Sequence, residues 1–335
     1  MVEFHAADNY VSPVRPTVIL LHGYGSGLGF FFRIIDPLLS SGQVGRVLLV
    51  DWLGMGGSDR PPCRRPIRGL SQCTTALCNS RFSPSQAVDS FLDPLHSLLK
   101  HMLPEKEPVW LVGHSLGGYL AARYALRSED KIGLEKMILA SPVGFPVRPN
   151  NMLPSAQLPT AFRLVDALWS ANVTPQQLVR IMGATRGRAA VRRALAGRIP
   201  HLSLNEENVL DLLSDYLFHI TVAHPSSEFA MNSLLEPGIS PELAGVFARE
   251  PLEPLFAELA SIVTSSNKDG NFPTKIKVLF GDSDWMRPNQ PSAKQALEYM
   301  KPHLSAENVS VSIVPDAGHH LYIDNPDGFV QHILH

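Results

Sequence analysis

Six short apolar runs recur along the chain, and the segments between them carry apolar residues at helical spacing. The runs lie at 17–21, 46–52, 108–115, 136–144, 275–282 and 309–318. Each run is rich in Val, Ile and Leu, which is typical of strands buried on both faces of a parallel sheet. Their alternation with helical patterns predicts an α/β fold with a mainly parallel central sheet flanked by helices.

The rhythm of these runs changes after the fourth one. Residues 146–272 contain no convincing strand pattern but several helical patterns, such as 160–171 and 208–220. We therefore predict a core formed by residues 1–145 and 273–335, with a helical cap inserted at 146–272. An insertion at this point would cover the carboxyl ends of the strands, where open α/β sheets bind their ligands.

One serine stands between two glycines where the third run passes into a helical pattern. The residues Gly113-His-Ser115-Leu-Gly117 form a G-x-S-x-G elbow. In such an elbow the turn is so tight that the flanking positions accept no side chain, and the strained backbone lifts the serine hydroxyl out of the sheet. Because a strand precedes the motif and a helix follows it, Ser115 is the candidate nucleophile.

A serine nucleophile needs a base to take its proton and an acid to orient that base, and the elbow predicts the chain order Ser, acid, His. The loop after the fifth run contains two aspartates, and the loop after the sixth contains two adjacent histidines. For the acid we predict Asp284, which completes a Gly-x-x-Asp pattern, with Asp282 as the alternative. For the base we predict His319, which directly follows Ala-Gly, while His320 is assigned to the pocket or to a supporting position.

An acyl-transfer site also needs hydrogen-bond donors for the oxyanion that develops during the reaction. We expect the backbone N–H of Leu116 to be one donor, and that of Tyr24, in the glycine-rich loop after the first run, to be the other. The candidates for lining the substrate pocket are Phe30, Phe31, His114 and His320. Aromatic residues at a helix start more often belong to the core, so only one or two of the phenylalanines are expected to touch substrate. For His114 the alternative is a structural role.

Composition and charge narrow the class of partner. Of the 335 residues, 44% are hydrophobic and 18% are charged, and the net charge of −2 gives no reason to expect nucleic acid. The three cysteines (Cys63, Cys73 and Cys78) match no metal-ligand or disulfide pattern and favour a reducing compartment. No signal or transit peptide is visible, and no apolar run approaches the ~20 residues that span a bilayer. We expect an intracellular protein that uses no metal or organic cofactor.

Several motifs carry a family resemblance. In chain order, HGYG, DWLGMGGSDRP, GHSLGG, GDSDWMRP and GHHLYIDNP resemble the α/β-hydrolase superfamily. More narrowly, GSGLGFFFR, SPVGFPVRP, LWSANVTPQQLVRIMG and HHLYID resemble the group of α/β-hydrolase-domain proteins four and five, which includes the lipase coactivator, and the cardiolipin-specific deacylase.

The resemblance implies a serine hydrolase that cleaves fatty-acyl esters of phospholipids or lysophospholipids. It implies a cytoplasmic setting with peripheral attachment to mitochondrial, endoplasmic-reticulum or lipid-droplet membranes. The alternatives are acyl transfer to lysophosphatidic acid, a non-catalytic binder that regulates a lipase at a lipid surface, and a soluble carboxylesterase or serine aminopeptidase.

The acyltransferase motif credited to this group, H-x4-D, would span His319 to Asp324. The candidate triad already uses His319, and residues 324–327 have the pattern of a helix start with a cap and a proline at the first position. Acyl transfer needs no separate motif, because an acyl-enzyme can pass its acyl group to an alcohol instead of water.

A basic segment without acidic residues covers 174–200. We predict a patch there that settles on anionic lipid, with an apolar helical face at Val191, Leu195 and Ile199 beside the charges. The candidate arginines of this patch are Arg188, Arg192 and Arg193. The alternative is that the apolar face packs on the rest of the protein and that the arginines are solvated or paired.

Overall fold

The structure is a computed structural model that describes most of the chain. It covers residues 1–7, 15–61, 83–104, 107–125, 127, 132–200, 202, 206–239, 244–256, 275–285 and 309–335, and the three cysteines lie outside these ranges. The strands are β1 Val2–His5, β2 Thr17–Leu21, β3 Arg46–Val50, β4 Val109–His114, β5 Leu134–Ala140, β6 Leu235–Ile239, β7 Ala244–Ala248, β8 Lys275–Gly281 and β9 Val309–Val314. The helices are α1 Phe32–Ser40, α2 Pro84–Met102, α3 Leu116–Ala125, α4 Thr160–Ser170, α5 Pro175–Arg198, α6 Glu207–Val222, α7 Met231–Leu234, α8 Leu321–Asp324 and α9 Pro326–Leu334.

Seven strands form the central sheet in the order β1-β3-β2-β4-β5-β8-β9. Its neighbouring strands pair in parallel, except that β1 pairs antiparallel with β3 at the edge. The six predicted apolar runs overlap β2, β3, β4, β5, β8 and β9, so the predicted mainly parallel sheet is confirmed.

Both faces of this sheet are covered, which explains why its strands are continuous apolar runs. In β2, Ile19 and Leu21 belong to one hydrophobic cluster, whereas Val18 and Leu20 belong to a second. Successive strand residues point to opposite faces, so the two clusters lie on opposite sides of the sheet. Helices α2 and α3 contribute to the first cluster, and α1 and α9 contribute to the second.

The described residues between β5 and β8 lie outside the central sheet and are mainly helical. They also contain an antiparallel pair, β6 and β7, which the sequence analysis did not predict. Pro237 and Gly238 lie inside β6, and such residues are unusual within a strand, so the pattern gave no strand signal there. The boundaries of the cap, at 146 and 272, stay a prediction.

Helix lengths and hydropathy bear on membrane contact. Among the helices in the described ranges, none has both the length and the apolar character required to cross a bilayer.

Candidate active site

Ser115 lies on the turn between β4 and α3, at the carboxyl edge of the sheet. Its φ of +53° is in the left-handed region, which is strained for a residue with a side chain. The turn is fixed by three backbone hydrogen bonds: Ser115 N–H donates to the Ala140 carbonyl at 2.9 Å, and the Ser115 carbonyl accepts from Tyr119 at 3.0 Å and Val143 at 3.2 Å. The side chain is thereby held in one place although its backbone conformation is unfavourable.

The two glycines of the elbow are required by close backbone approach. A Cβ on Gly113 would collide with the carbonyl of Gly117 and lie 2.7 Å from the amide of Gly118. A Cβ on Gly117 would collide with the Leu21 carbonyl of the neighbouring strand. These obstacles are main-chain atoms, which cannot move aside as a flexible side chain could. The elbow therefore has the tight packing that its sequence predicts.

Asp284 and His319 are brought together from the loops after β8 and β9. The Nδ1 atom of His319 lies 3.0 Å from Oδ1 of Asp284, and both side chains are buried. An ionised carboxylate can only accept, so Nδ1 carries the proton and donates it to Asp284. The Nε2 atom of His319 is consequently the nitrogen that can take a proton from a hydroxyl.

Gly281 allows these two loops to meet. A Cβ at this position would collide with the main-chain carbonyls of Ala317 and Gly318, which directly precede His319. The glycine of the Gly-x-x-Asp pattern is therefore required because it lets the loop that carries the base lie against the loop that carries the acid.

The alternative acid, Asp282, has different partners from Asp284. Its carboxylate accepts from the backbone N–H of Asp316 at 3.0 Å and from that of Ala317 at 3.2 Å. It therefore fixes the loop that carries His319, while Asp284 contacts the imidazole itself.

The glycine-rich loop after β2 passes directly beside the serine. A Cβ on Gly23 would lie 2.9 Å from Cβ of Ser115, so only glycine leaves room for the loop there. The side chain of Tyr24 donates from its hydroxyl to Oε1 of Gln176 at 2.8 Å, which leaves the backbone of Tyr24 as the candidate oxyanion donor. Leu116, the other candidate, is the first residue of α3, where the amide has no acceptor within the helix.

A buried pair, His22 and Asp51, supports this loop from behind. Oδ1 of Asp51 lies 3.2 Å from Nε2 of His22, and the same carboxylate accepts from the backbone N–H of Leu28 and of Gly57 at 2.8 Å each. Burial acts to raise the pKa of Asp51, but the interaction with His22 and the two backbone hydrogen bonds together outweigh burial and lower that pKa. His22 thus has a structural position, since it joins the loops after β2 and β3.

His114 lies beneath the candidate base rather than on a pocket surface. Its Nε2 is 2.8 Å from the carbonyl oxygen of His319, and its Nδ1 is 3.1 Å from the hydroxyl of Tyr322. One tautomer satisfies both bonds, with Nε2–H donating to the carbonyl and Nδ1 accepting from the hydroxyl. Burial first, and then the neighbouring charge of His319, lower the pKa of His114 well below its usual range, so it is neutral. These buried contacts correspond to the structural alternative for His114.

Phe30, Phe31 and His320 are likewise packed side chains. Phe31 is fully buried in the core, with its ring 4.6 Å from that of Tyr322. Phe30 is also buried, and its ring lies 5.7 Å from that of His320. Packing between these rings fixes the far side of the loop that carries His319.

The fold agrees with comparisons to known proteins. A family model described as alpha/beta hydrolase fold matches residues 16–326. The chain belongs to the α/β-hydrolase fold family. The bromoperoxidase of Bacillus anthracis superposes on this α/β hydrolase with a TM-score of 0.57 over 96% of this chain and 91% of that chain, at 19% identity, a likeness that shows the fold alone.

Curated relatives cover nearly the whole of this α/β hydrolase. A protein of Oryza sativa subsp. japonica named "Probable 1-acylglycerol-3-phosphate O-acyltransferase" is 32% identical over 343 aligned residues, which span 100% of this chain and 69% of the rice protein. The (lyso)-N-acylphosphatidylethanolamine lipase of Homo sapiens is 26% identical over 324 residues, which span 94% of this chain and 77% of the human protein. These relatives confirm the resemblance to the group of α/β-hydrolase-domain proteins four and five.

Trp285 is a candidate site residue that the sequence analysis missed. Its ring centroid lies 5.1 Å from that of His319, and its side chain is 61% exposed. Trp285 thus places a large, exposed aromatic ring next to the candidate base of this α/β hydrolase. A tryptophan directly after the acid was the signal that could have identified it.

Asp324, the acidic residue of H-x4-D, holds the same loop. Its Oδ2 accepts from the backbone N–H of Gly318 at 2.9 Å. The next residue, Asn325, caps α9 by accepting from Gly328 N–H at 2.9 Å, and Pro326 is the first residue of that helix. The predicted helix start is confirmed, and the observed contact of Asp324 is structural.

The observed contacts of the predicted basic patch differ from those that binding to lipid would require. The apolar face at Val191, Leu195 and Ile199 is buried, which corrects its assignment as a lipid-binding stripe. Arg188 forms an ion pair with Asp215, and Arg192 donates to Asp211 at 2.6 Å and to Glu207 at 2.8 Å. Arg193 is exposed. These contacts correspond to the alternative interpretation, in which the apolar face packs inward and the arginines are paired or solvated.

The buried His320 makes the stability of the fold sensitive to acid. Burial is the main reason why the pKa of His320 lies well below its ordinary value of 6.5, and the neighbouring imidazoles of His114 and His319 lower it further. Below pH 6.5, His320 binds a proton in the unfolded chain but stays neutral in the folded chain. The contribution of His320 to stability is therefore present above that pH and is lost as the pH falls below it.

We expect the urea concentration at the midpoint of unfolding to decrease when the pH is lowered from about 7 to about 5.5. In His320→Phe this decrease is expected to be smaller. A phenylalanine would pack against Phe30 and would not titrate, and Nδ1 of His320 has no hydrogen-bond partner among the described residues. Equal slopes for the wild type and the variant would contradict the prediction.

Proposed function

We propose that this α/β hydrolase cleaves fatty-acyl esters of lysophospholipids and related phospholipids through a Ser115–His319–Asp284 triad. The observation that carries the proposal is the 3.0 Å hydrogen bond between the buried Asp284 and His319. It orients an imidazole at the same sheet edge as a serine held in the strained elbow conformation. This combination of residues is the arrangement used for acyl transfer in this fold.

In the first half of the reaction, Ser115 Oγ bonds to the ester carbonyl carbon while its proton passes to Nε2 of His319. The imidazolium that results is stabilised by the carboxylate of Asp284. The negative charge on the former carbonyl oxygen is held by the backbone N–H groups of Leu116 and Tyr24. Collapse of this intermediate breaks the ester C–O bond, and the leaving alcohol takes the proton from Nε2.

In the second half, water attacks the acyl-enzyme and gives its proton to Nε2 of His319. The ester bond to Ser115 breaks, the serine oxygen recovers the proton, and a fatty acid is released. The second half uses the same residues as the first, with water as the nucleophile, so the mechanism requires no further residue and no cofactor.

The names of two relatives support an acyl lipid as the substrate. The rice relative is named for acyl transfer to 1-acylglycerol-3-phosphate, and the human relative for cleavage of (lyso)-N-acylphosphatidylethanolamine. Both names describe a fatty-acyl group on a glycerophospholipid. This common feature favours lysophospholipids over small soluble esters.

Acyl transfer to lysophosphatidic acid is the second candidate, and the 32% identity to the rice relative favours it. It would use the same acyl-enzyme, with a hydroxyl of lysophosphatidic acid taking the place of water. The non-catalytic alternative is disfavoured because Ser115 occupies the elbow position.

The test is to incubate the purified protein with lysophosphatidylcholine, lysophosphatidylethanolamine, lysophosphatidic acid, N-acylphosphatidylethanolamine and a short-chain soluble ester. Mass spectrometry measures the fatty acid and glycerophospho products. We expect fatty-acid release from lysophospholipids, blocked by a fluorophosphonate that phosphonylates Ser115 with loss of fluoride. Phosphatidic acid formed from lysophosphatidic acid would favour the second candidate. No product from any lipid, with the soluble ester cleaved, would overturn the lipid assignment.

A further inference from the structure

Helix α4 and the first turns of α5 present an unusual concentration of exposed apolar side chains. No residue of α4 is buried, although the helix has a distinct apolar side. We call the following set the α4–α5 face: Phe162, Leu164, Val165, Leu178, Ile181 and Met182. Its members are between 37% and 81% exposed. Six of the 13 large hydrophobic side chains that are exposed in the described part of the chain thus lie within 160–182.

This face adjoins the active site. Pro175 begins α5, and the next residue, Gln176, accepts the hydrogen bond from the Tyr24 hydroxyl in the oxyanion loop. The corner between the helices also lines a small cavity together with Tyr24, through Trp169 and Thr174. A surface that rests against the α4–α5 face would therefore lie next to the loop that carries the proposed oxyanion donor.

The inner side of the corner is fixed by polar contacts. Trp169 Nε1–H donates to the Leu235 carbonyl at 3.2 Å, and the Thr174 hydroxyl donates to Glu228 at 2.9 Å. Arg180 forms a two-pronged pair with the same buried Glu228, with both distances at 2.7 Å. These contacts hold the helices in place without burying their apolar side, so the exposure of the face is built into the fold.

A bend in α5 separates this exposed part from the buried part. Gly183 has φ +73° and ψ 178°, which interrupts the helix directly after Met182. Beyond it, Val191 and Leu195 point into the core. The bend lets one helix pack inward at its carboxyl end and present apolar side chains outward at its amino end.

The charges at the edge of the face are basic. Arg163 and Arg186 are exposed, and neither has an ion-pair partner among the residues that the structure describes. Asp166 is the single acidic residue between 160 and 186 in the sequence. Apolar side chains flanked by unpaired arginines fit a surface that offers acyl chains and anionic head groups.

We infer that the α4–α5 face docks on the surface of a phospholipid bilayer that contains anionic lipid. The apolar side chains enter the boundary between head groups and acyl chains, and Arg163 and Arg186 contact the head groups. The inference rests on the proposed function for the choice of partner, since a lipid substrate resides in such a surface. It replaces the buried stripe at 191–199 as the site of lipid contact.

The test is vesicle flotation with Ser115→Ala protein, which keeps the lipids intact during the assay. The vesicles are phosphatidylcholine alone or with about 20 mol% phosphatidylserine. Adding Leu164→Glu and Ile181→Glu is expected to weaken binding about tenfold or more, because each places a charge in the apolar boundary. The matched control is Leu212→Glu, at a leucine of α6 that is 73% exposed and lies outside the face; its binding should equal that of the parent.

A second double variant separates the contribution of the arginines to vesicle binding from that of the apolar side chains. Arg163→Gln with Arg186→Gln is expected to weaken binding to phosphatidylserine vesicles, to reduce its salt dependence and to leave binding to pure phosphatidylcholine unchanged. Equal binding of the parent and the Leu164→Glu/Ile181→Glu variant would overturn the inference. A second outcome would also overturn the inference. Light scattering would show a dimer that these substitutions dissociate, while vesicle binding would persist, because the α4–α5 face would then bind a second copy of the chain. Binding requires no turnover, so its failure is distinguishable from failure of the proposed catalysis.

Discussion

Replacement of Ser115 by alanine is expected to lower kcat for lysophospholipid hydrolysis by about 10⁴-fold or more. The variant retains the oxyanion donors and the imidazole but has no oxygen that can form the acyl-enzyme. Alanine in the left-handed turn has the same Cβ as serine, so the elbow should keep its shape. Fatty-acid release measured against time, and the mass of the protein after fluorophosphonate treatment, check the two parts of this prediction.

Ser141 supplies a matched control for Ser115→Ala. It also follows a strand of the sheet, has a left-handed φ of +46°, and is buried. Its hydroxyl has no hydrogen-bond partner among the described residues, so its removal should cost little. We expect Ser141→Ala to keep its activity within a few-fold of the wild type. Retention of more than a tenth of the activity by Ser115→Ala, or its loss in Ser141→Ala alone, would contradict the assignment of the nucleophile.

Asp284→Asn is expected to reduce kcat by about 10³-fold to 10⁴-fold, with a much smaller change in KM. An asparagine that donates its amide N–H to Nδ1 of His319 favours the tautomer with the proton on Nε2. That tautomer cannot accept the proton of Ser115, and the imidazolium loses the carboxylate that stabilises it. Steady-state kinetics with one lysophospholipid give both constants.

Asp282→Asn is the control for this prediction, because it changes the same chemical group two residues away. An asparagine there can accept one of the two backbone N–H bonds that Asp282 accepts and loses the other. We expect a loss of about 1 kcal/mol in unfolding free energy and a kcat within tenfold of the wild type. If Asp282→Asn were the more damaging substitution for kcat, the acid would have been assigned to the wrong residue.

The central sheet was predictable because burial on both faces leaves a strong signal. β2 is buried at all five residues and apolar at the four that follow Thr17, and β4 is buried at all six of its residues. Such short, continuous apolar runs are typical of strands that are covered on both faces. The edge strand β1 left no such signal, since its residues are mostly exposed and its pairing with β3 depends on main-chain bonds. A main-chain pairing constrains side-chain identity only weakly, so it is hard to predict from sequence.

The candidate site was predictable where backbone geometry demands particular residues. Gly117 and Gly281 are positions where a side chain would collide with main-chain atoms, so the motifs that contain them are specific. The surroundings of His319 were less predictable, because whether His114 and His320 face a pocket or the core depends on packing between distant loops. The ion pairs of the basic segment were hard to predict for the same reason. They depend on how the segment aligns with α6, and the spacing of residues along one helix does not determine that alignment.

The order of strands in the sheet has a consequence for how this protein could diversify. β5 and β8 are hydrogen-bonded neighbours, although the whole helical excursion with its hairpin intervenes between them in the chain. Lengthening or replacing that excursion would leave every rung of the ladder unchanged, and the loops that carry Ser115, Asp284 and His319 would keep their spacing. The inserted segment can therefore change in sequence and length during evolution while the positions of these three loops in the sheet stay the same.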